Sequence, residues 1–300
     1  MFGYSGNIQE GIGSHMIRGG LISLKEALNS LKPMERKAAE FILQYPDKVV
    51  NLSVQKLAEL AGVSVATIIR LSRSLQLKGY QQLKLKIAAD LAQHNPEEDS
   101  YQEIKMDGST GALVRSISHN NMQSIQDTMG VLREEDLELA IEAMSGARRI
   151  TIFGVGASAV IAEDFQQKLT RINRWCDAAY AFNSQATIAA NLTERDVAFG
   201  ISYSGLTEDI IQSLTIAKES GAKIVTLTKF GTNPVAELAD IRLFTSSLEQ
   251  SIRSGAMASR IAQLNVIDIL FVGIASRNYE ENIQALEKTR KAVKVTKRNG

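Results

Sequence analysis

Cysteine, tryptophan, histidine and proline are all scarce in this chain of 300 residues, with one Cys, one Trp, three His and four Pro. One cysteine, Cys176, permits no intrachain disulfide. With only His15, His94 and His119 beside it, it builds no Cys/His metal set. Neither a metal nor a cofactor is therefore expected, and a lone thiol fits a reducing cytoplasm. Long apolar runs are missing too. The nearest candidate, Leu264–Ala275, falls short of the roughly 18 residues a membrane span needs and is interrupted by Asp268. A charged-then-apolar secretory start is also absent. The expectations are a cytoplasmic location and no membrane partner. Finally, no charge sign dominates: 34 Lys+Arg face 33 Asp+Glu, a net of +1. Overall charge thus says nothing about partners, but its distribution does. From Leu21 to Asp90, 11 Lys/Arg stand against 6 Asp/Glu, a net of +5, which points toward nucleic acid.

What is present divides the chain. Residues 1–20 hold six glycines and the string Gly13-Ser14-His15-Met16, which reads as a cloning remnant, so this stretch is set aside as a tail. Residues 21–93 read as short helices. Leu24, Leu28, Leu31, Ala38, Phe41, Ile42 and Tyr45 recur at helical spacing over 24–46, Pro33 marks a break or a helix start, and Pro46 a stop. Residues 94–110 are polar and acidic and read as a linker. From 111 to 297, helical patterns alternate with β-rich runs at Arg149–Phe153, Ala178–Phe182, Val197–Ser202, Lys223–Thr228 and Ile241–Thr245. That alternation predicts βαβ units and a parallel sheet covered on both faces. The stretch from Ile252 to about Lys297 reads as helical throughout. Its apolar face of Ile261, Leu264, Ile267, Leu270, Phe271 and Ile274 needs a partner, either its own sheet or a second subunit.

The N-terminal block carries the first functional motif, LSVQKLAELAGVSVATIIRLSRSLQL, at 52–77. Ser53 and Ser64 stand where helix caps belong, and Gly62 between them supplies the turn. Two short helices joined this way form a helix-turn-helix, whose second helix enters the DNA major groove. Its contact candidates are Ser64, Val65, Thr67, Arg70 and Arg73. The two arginines sit three apart on one helix, and either can grip a guanine edge or a phosphate. Lys78, Tyr80 and Lys84 follow as candidate clamps on the DNA backbone.

The second block carries two loops that follow predicted strands. Gly154-Val155-Gly156-Ala157-Ser158 opens a helix whose N-terminus offers free N–H groups to an anion. A dinucleotide site is disfavoured, because Ala159 stands where the third glycine of G-x-G-x-x-G belongs and no acidic residue ends the second strand. Ser202-Tyr203-Ser204-Gly205-Leu206-Thr207-Glu208 clusters three hydroxyls and a glycine at another helix start. Such neutral donors surround a phosphate without needing a cation. Gly156, Ser158, Ser202, Ser204 and Thr207 are thus the phosphate candidates. Glu249, Arg253 and Ser254, with Arg260 nearby, form a charged cluster in which a carboxylate could accept hydrogen bonds from a sugar's hydroxyls.

These segments together resemble the RpiR-type transcription regulators, which join an N-terminal helix-turn-helix to a SIS (sugar isomerase) domain. The likeness rests on LSVQKLAELAGVSVATIIRLSRSLQLKGYQQLK, GVGASA, SYSGLTED and EQSIRSGAMASR, and spans about Leu21 to Lys297. It implies an all-α DNA-binding domain followed by an α/β doubly wound SIS domain with a five-stranded parallel sheet. It also implies a phosphosugar effector held by Ser158, Ser202, Ser204 and Thr207 with Glu249 facing the sugar, double-stranded operator DNA as partner, and a homodimer or homotetramer. Within the family, the likeness is nearest to regulators responding to N-acetylmuramic acid 6-phosphate.

The rival reading is a sugar-phosphate isomerase. Aldose–ketose isomerisation needs a base and a ring-opening acid/base helper. Glu249 could be a base, but no histidine lies between Gly146 and Asn278, so its helper is missing unless His119 arrives from elsewhere. A DNA-reading module would also serve no purpose on such an enzyme. The expectation is a regulator with no catalytic residue.

Overall fold

A computed structural model of the chain describes residues 19–92, 108–246 and 257–296. Contacts divide it into two units. One is built on residues up to Val131, and the other begins at Leu132; short stretches at Phe230–Thr232 and from Ser246 group with the first.

The first unit is helical. Its described elements are α1 (Gly20–Ala27), α2 (Pro33–Gln44), α3 (Pro46–Val49), α4 (Val54–Ala61), α5 (Val65–Ser74), α6 (Tyr80–Ala92) and α7 (Thr110–Val131). Ser53 caps α4 by accepting the Lys56 amide, and α4 ends at Gly62 in the left-handed region (φ 62°). Ser64 caps α5 by accepting the Thr67 amide. Leu57 and Ala58 of α4 and Ile68 and Leu71 of α5 are buried, as is Leu75. Each such fully buried Leu or Ile contributes roughly 1.5–3 kcal/mol to folding.

The helical stretch over 24–46 is broken as expected at Pro33, which opens the second of two helices, where its missing N–H costs nothing. Two other boundaries differ from expectation. The tail ends before residue 20. Asp90 accepts the amides of Gly19 and Leu21 at 2.7 and 2.8 Å, so a carboxylate some seventy residues away caps α1. Helix α7, assigned from sequence to the sugar-binding domain, groups with the first unit. Residues 94–107 of the predicted linker lie outside the described residues.

The second unit is doubly wound. Helix α8 (Glu134–Gly146) leads into β1 (Arg149–Gly154), α9 (Ala157–Arg171), β2 (Cys176–Ala179), α10 (Phe182–Ala189), β3 (Asp196–Ser202), α11 (Glu208–Glu219), β4 (Lys223–Lys229), α12 (Pro234–Leu238), β5 (Ile241–Thr245), α13 (Met257–Arg277) and α14 (Tyr279–Thr296). The five strands pair in parallel in the order β2-β1-β3-β4-β5. On one face α8, α9 and α13 bury Met144, Phe165, Ile267 and Leu270 against Ile152 and Phe199, with the rings of Phe165 and Phe199 meeting edge to face. On the other, α10, α11 and α12 bury Ala189, Leu214 and Val235 against Phe153 and Ala198. Helix α13 is long and apolar enough to cross a membrane by composition, yet its Ile267, Leu270 and Ile274 are fully buried in this core. Its apolar face is thus covered by its own sheet.

Strand β5 matches its predicted span. Strand β2 does not: it was expected at Ala178–Phe182 but ends at Ala179, and Phe182 opens α10. The ladder is limited by its neighbour, because Ala179 pairs with Phe153, next to the last residue of β1. At the foot of the sheet, the buried Asp196 takes a two-pronged grip from Arg148 at 2.9 and 2.6 Å and accepts both donors of Thr193. Burial opposes its charge, but these donors outweigh that and hold its carboxyl below the ordinary range.

Candidate functional site

In the first unit, the exposed face of α5 is organised by one hydrogen-bond chain. The Ser64 hydroxyl, besides capping the helix, lies 2.9 Å from the Thr67 hydroxyl. Thr67 in turn accepts from Arg70 Nη2 at 3.0 Å. From α2, the buried Glu35 places a carboxylate oxygen 3.7 Å from Arg70 Nε, and its other oxygen accepts from Ser74. The half-exposed Arg70 guanidinium is therefore held in place before any ligand arrives. Arg73 and Lys78 are exposed, and neither makes an ion pair among the described residues. Ser64 is exposed and Val65 half-buried, both at the start of α5.

Three candidates are engaged within the unit. Thr67 is buried, with its hydroxyl 2.9 Å from that of Ser64 and accepting from Arg70. Tyr80 is only 5% exposed, and its hydroxyl lies 3.1 Å from both the Val49 and Leu52 carbonyls. Burial pushes its phenol above the ordinary range. In this conformation it offers no side-chain donor to a DNA phosphate, which corrects the expectation. Lys84 donates to the Leu52 carbonyl at 3.1 Å. Both fasten α6 to the segment before α4. Sequence reasoning missed Ala66 and Ile69, which are exposed on α5 beside Arg70 and Arg73. Their spacing from the arginines on one helix was the signal available.

In the second unit, the two glycine- and serine-bearing loops emerge side by side. Gly154 of β1 pairs with Ile201 of β3, so the chain leaves both strands at the same edge of the sheet. Successive strands lie on opposite sides of β1 and β3, so this is where the winding reverses and crevices form in such sheets.

The first loop turns through Gly156 at φ 60°, ψ −125°, a conformation side-chain-bearing residues avoid. It then enters α9, where the Ser158 and Ala159 amides donate to the Val155 and Gly156 carbonyls at 3.2 and 3.1 Å. Ser158 is buried to 7% exposure, and its hydroxyl has no partner among the described residues.

The second loop is tied down more fully. The Ser202 hydroxyl accepts the Gly205 amide at 3.2 Å and lies 2.9 Å from that of Thr207. Ser204 is exposed and accepts the Leu206 amide. Two backbone bonds pin the loop to its neighbours: Lys229 N–H to the Tyr203 carbonyl at 2.9 Å, and Val235 N–H to that of Gly205 at 3.2 Å. Gly205 is obligatory, since its φ is 68° and an added Cβ would stand 2.1 Å from Asn233 Oδ1. The result is a set of hydroxyls and loop amides gathered at two helix starts, a chemistry suited to a tetrahedral oxyanion.

The structure brings Gly156, Ser158, Ser202, Ser204 and Thr207 to this edge. Glu249, Arg253 and Ser254 lie outside the described residues; Arg260 is exposed on α13. Tyr180, exposed and directly after β2, stands at the same edge and was not singled out from sequence. Among the described residues no three His, Cys, Asp or Glu gather as metal ligands.

Comparison with known proteins agrees with both halves. Residues 18–94 match the helix-turn-helix domain of the rpiR family, and residues 143–273 match the SIS domain. An HTH-type transcriptional regulator of Caldanaerobacter subterraneus is 44% identical over 279 residues, covering 93% of this chain and 98% of that protein. The regulator YbbH of Bacillus subtilis is 38% identical over the same length, with the same coverage. Among solved structures, the Vibrio vulnificus NanR protein complexed with ManNAc-6P superposes with a TM-score of 0.58 at 25% identity, covering 91% of this chain and 97% of that one. The relatives matched over their whole length are transcriptional regulators rather than enzymes. With both domains matched in this order and a full-length relative at 44% identity, the chain belongs to the RpiR family of helix-turn-helix transcriptional regulators with a phosphosugar-binding SIS domain.

Proposed function

We propose that this regulator acts in the cytoplasm on genes of amino-sugar catabolism, and that its effector is the 6-phosphate of an N-acetylated amino sugar. The observation that carries the reading is the pair of hydroxyl- and amide-bearing loops leaving adjacent strands β1 and β3 at the winding reversal. Gly156, Ser158, Ser202, Ser204 and Thr207 hold the phosphate, and Glu249, Arg253 and Ser254 face the sugar. The likeness to NanR, solved with ManNAc-6P, supports the amino-sugar class. N-acetylmuramic acid 6-phosphate belongs to the same class.

On the DNA side, Ser64, Val65, Arg70, Arg73 and Lys78 contact the operator, while Thr67, Tyr80 and Lys84 position them. The working form is a homodimer on two half-sites about 34 Å apart or a multiple of that. The effector acts through unequal affinity for two states of the protein. A coupling of about 1–3 kcal/mol changes operator affinity roughly 5- to 150-fold.

The test is a thermal-shift screen of hexose and N-acetylamino-sugar 6-phosphates, followed by operator gel shifts with the best ligand. A ligand at 100 times its Kd adds about 2.7 kcal/mol of stability. Ser204→Ala removes one charge-assisted bond and weakens that ligand by about 1.5–3 kcal/mol. Operator affinity that stays constant under a saturating phosphosugar refutes the regulatory reading.

A further inference from the structure

Behind the two loops lies a buried polar side chain that no phosphate role accounts for. Gln185, on the eight-residue helix α10, is fully buried among the apolar residues of its face. Its Nε2 donates to the Ala179 carbonyl at 2.9 Å and sits 3.5 Å from that of Gly154. Its Oε1 faces the Ser213 hydroxyl at 2.9 Å. Ser213 is fully buried as well and lies 2.6 Å from the Asp209 carbonyl one turn earlier, so its single proton serves two acceptors.

The three ends of this amide are informative. Ala179 closes β2. Gly154 closes β1, where the first loop departs. Ser213 lies in the second turn of α11, the helix that the second loop opens. One side chain thus spans the anchors of both loops. An apolar residue of similar size would fill the space, so the amide's distinctive contribution is direction. A buried polar network fixes one geometry because every alternative leaves a donor or acceptor unpaired.

We propose that Gln185 is a positioning residue that sets the spacing of the two loops so that both grip one phosphate together. This inference rests on the phosphate reading of those loops. It adds that the grip depends on a residue that does not touch the ligand.

Gln185→Glu and Gln185→Leu together give the test. A protonated glutamic acid keeps a donor and an acceptor in nearly the same shape, whereas the ionised form turns a bare carboxylate toward the Gly154 and Ala179 carbonyls. Inorganic phosphate binding to the full chain is measured by calorimetry between pH 6 and 9, well below the melting temperature. Taking the ratio to the wild type cancels phosphate's own ionisation. The variant should approach wild-type affinity at the acid end and fall at least tenfold behind it at the alkaline end. Gln185→Leu should be at least tenfold weaker at every pH, and Ser213→Ala should weaken binding less. A merely space-filling role predicts that Gln185→Leu binds normally at every pH; the ionised Gln185→Glu carboxylate repels phosphate in either case, so the leucine variant decides between the two. If the wild type binds phosphate and Gln185→Leu matches it across the range, the positioning role is overturned and the phosphate site stands. If the wild type binds no phosphate, both fall.

Discussion

The two proposed recognition surfaces of this chain would meet phosphates by opposite means. The α5 side presents full charges, Arg70 and Arg73 on the helix and Lys78 in the turn after it, on exposed side chains. The edge of the SIS sheet presents hydroxyls and backbone amides in loops folded back on themselves. DNA is a long polyanion whose counterions are released on binding, so exposed cations gain most there. A single phosphate monoester in a crevice offers little counterion release, and its recognition rests on fixed dipoles at short range. The difference predicts contrasting behaviour in salt, in backbone changes and in side-chain changes.

Salt should separate the surfaces most widely. Proteins making 6–10 phosphate contacts lose about 10³–10⁵ in DNA affinity between 50 and 200 mM salt, and two copies each offering Arg70, Arg73 and Lys78 reach the lower end of that range. Phosphosugar affinity over the same interval should change by no more than about threefold, because a partly buried site is weakly screened. Parallel titrations by fluorescence anisotropy and calorimetry check this. A fall of similar size in both affinities would break the contrast.

Backbone changes should act on the sugar side. Gly205→Val forces a side chain into the left-handed region and against Asn233. We expect at least a hundredfold loss of phosphosugar affinity, about 2.7 kcal/mol. Operator binding without effector should stay within about twofold, since the change alters no residue of the helix-turn-helix domain. Calorimetry and gel shifts on the same preparation decide it.

Arg70 and Arg73, equivalent by sequence, should differ in stability but not in DNA affinity. Each substitution by Ala should cost operator binding about 1–3 kcal/mol. Arg70→Ala alone also leaves the buried Glu35 without its cation, so only it should lower the melting temperature. Equal melting temperatures would show that the 3.7 Å contact carries no weight.

That asymmetry marks the limit of what was legible in the sequence. Local signals sufficed where one segment decides its own structure: the Ser53 and Ser64 caps, the Gly62 turn, strand β5, and the two loops at strand ends. They failed where the partner is remote. Glycine-rich 19–20 looked like tail because the Asp90 cap lies some seventy residues away. The Tyr-Ala-Phe run after Ala179 looked like strand because nothing local tells where β1 stops. Tyr80 looked like a clamp because its carbonyl acceptors, Val49 and Leu52, are some thirty residues earlier. Gln185 carried no signal, since a lone glutamine in a helical stretch is ordinary until its three partners are seen.

The smallest expected effect is the most discriminating. Ser53 and Ser64 cap consecutive helices in the same way, and either change to Ala should cost about 1 kcal/mol of stability. Only Ser64 continues through Thr67 to Arg70. If that chain aims the guanidinium at the groove, Ser64→Ala should weaken the operator several-fold beyond the effect of Ser53→Ala, in gel shifts run where both variants are fully folded. If the two variants lose operator affinity equally, the loss tracks helix stability alone. Arg70 would then find its own orientation on meeting DNA, and the preset geometry of α5 would be a property of the free protein with no bearing on recognition.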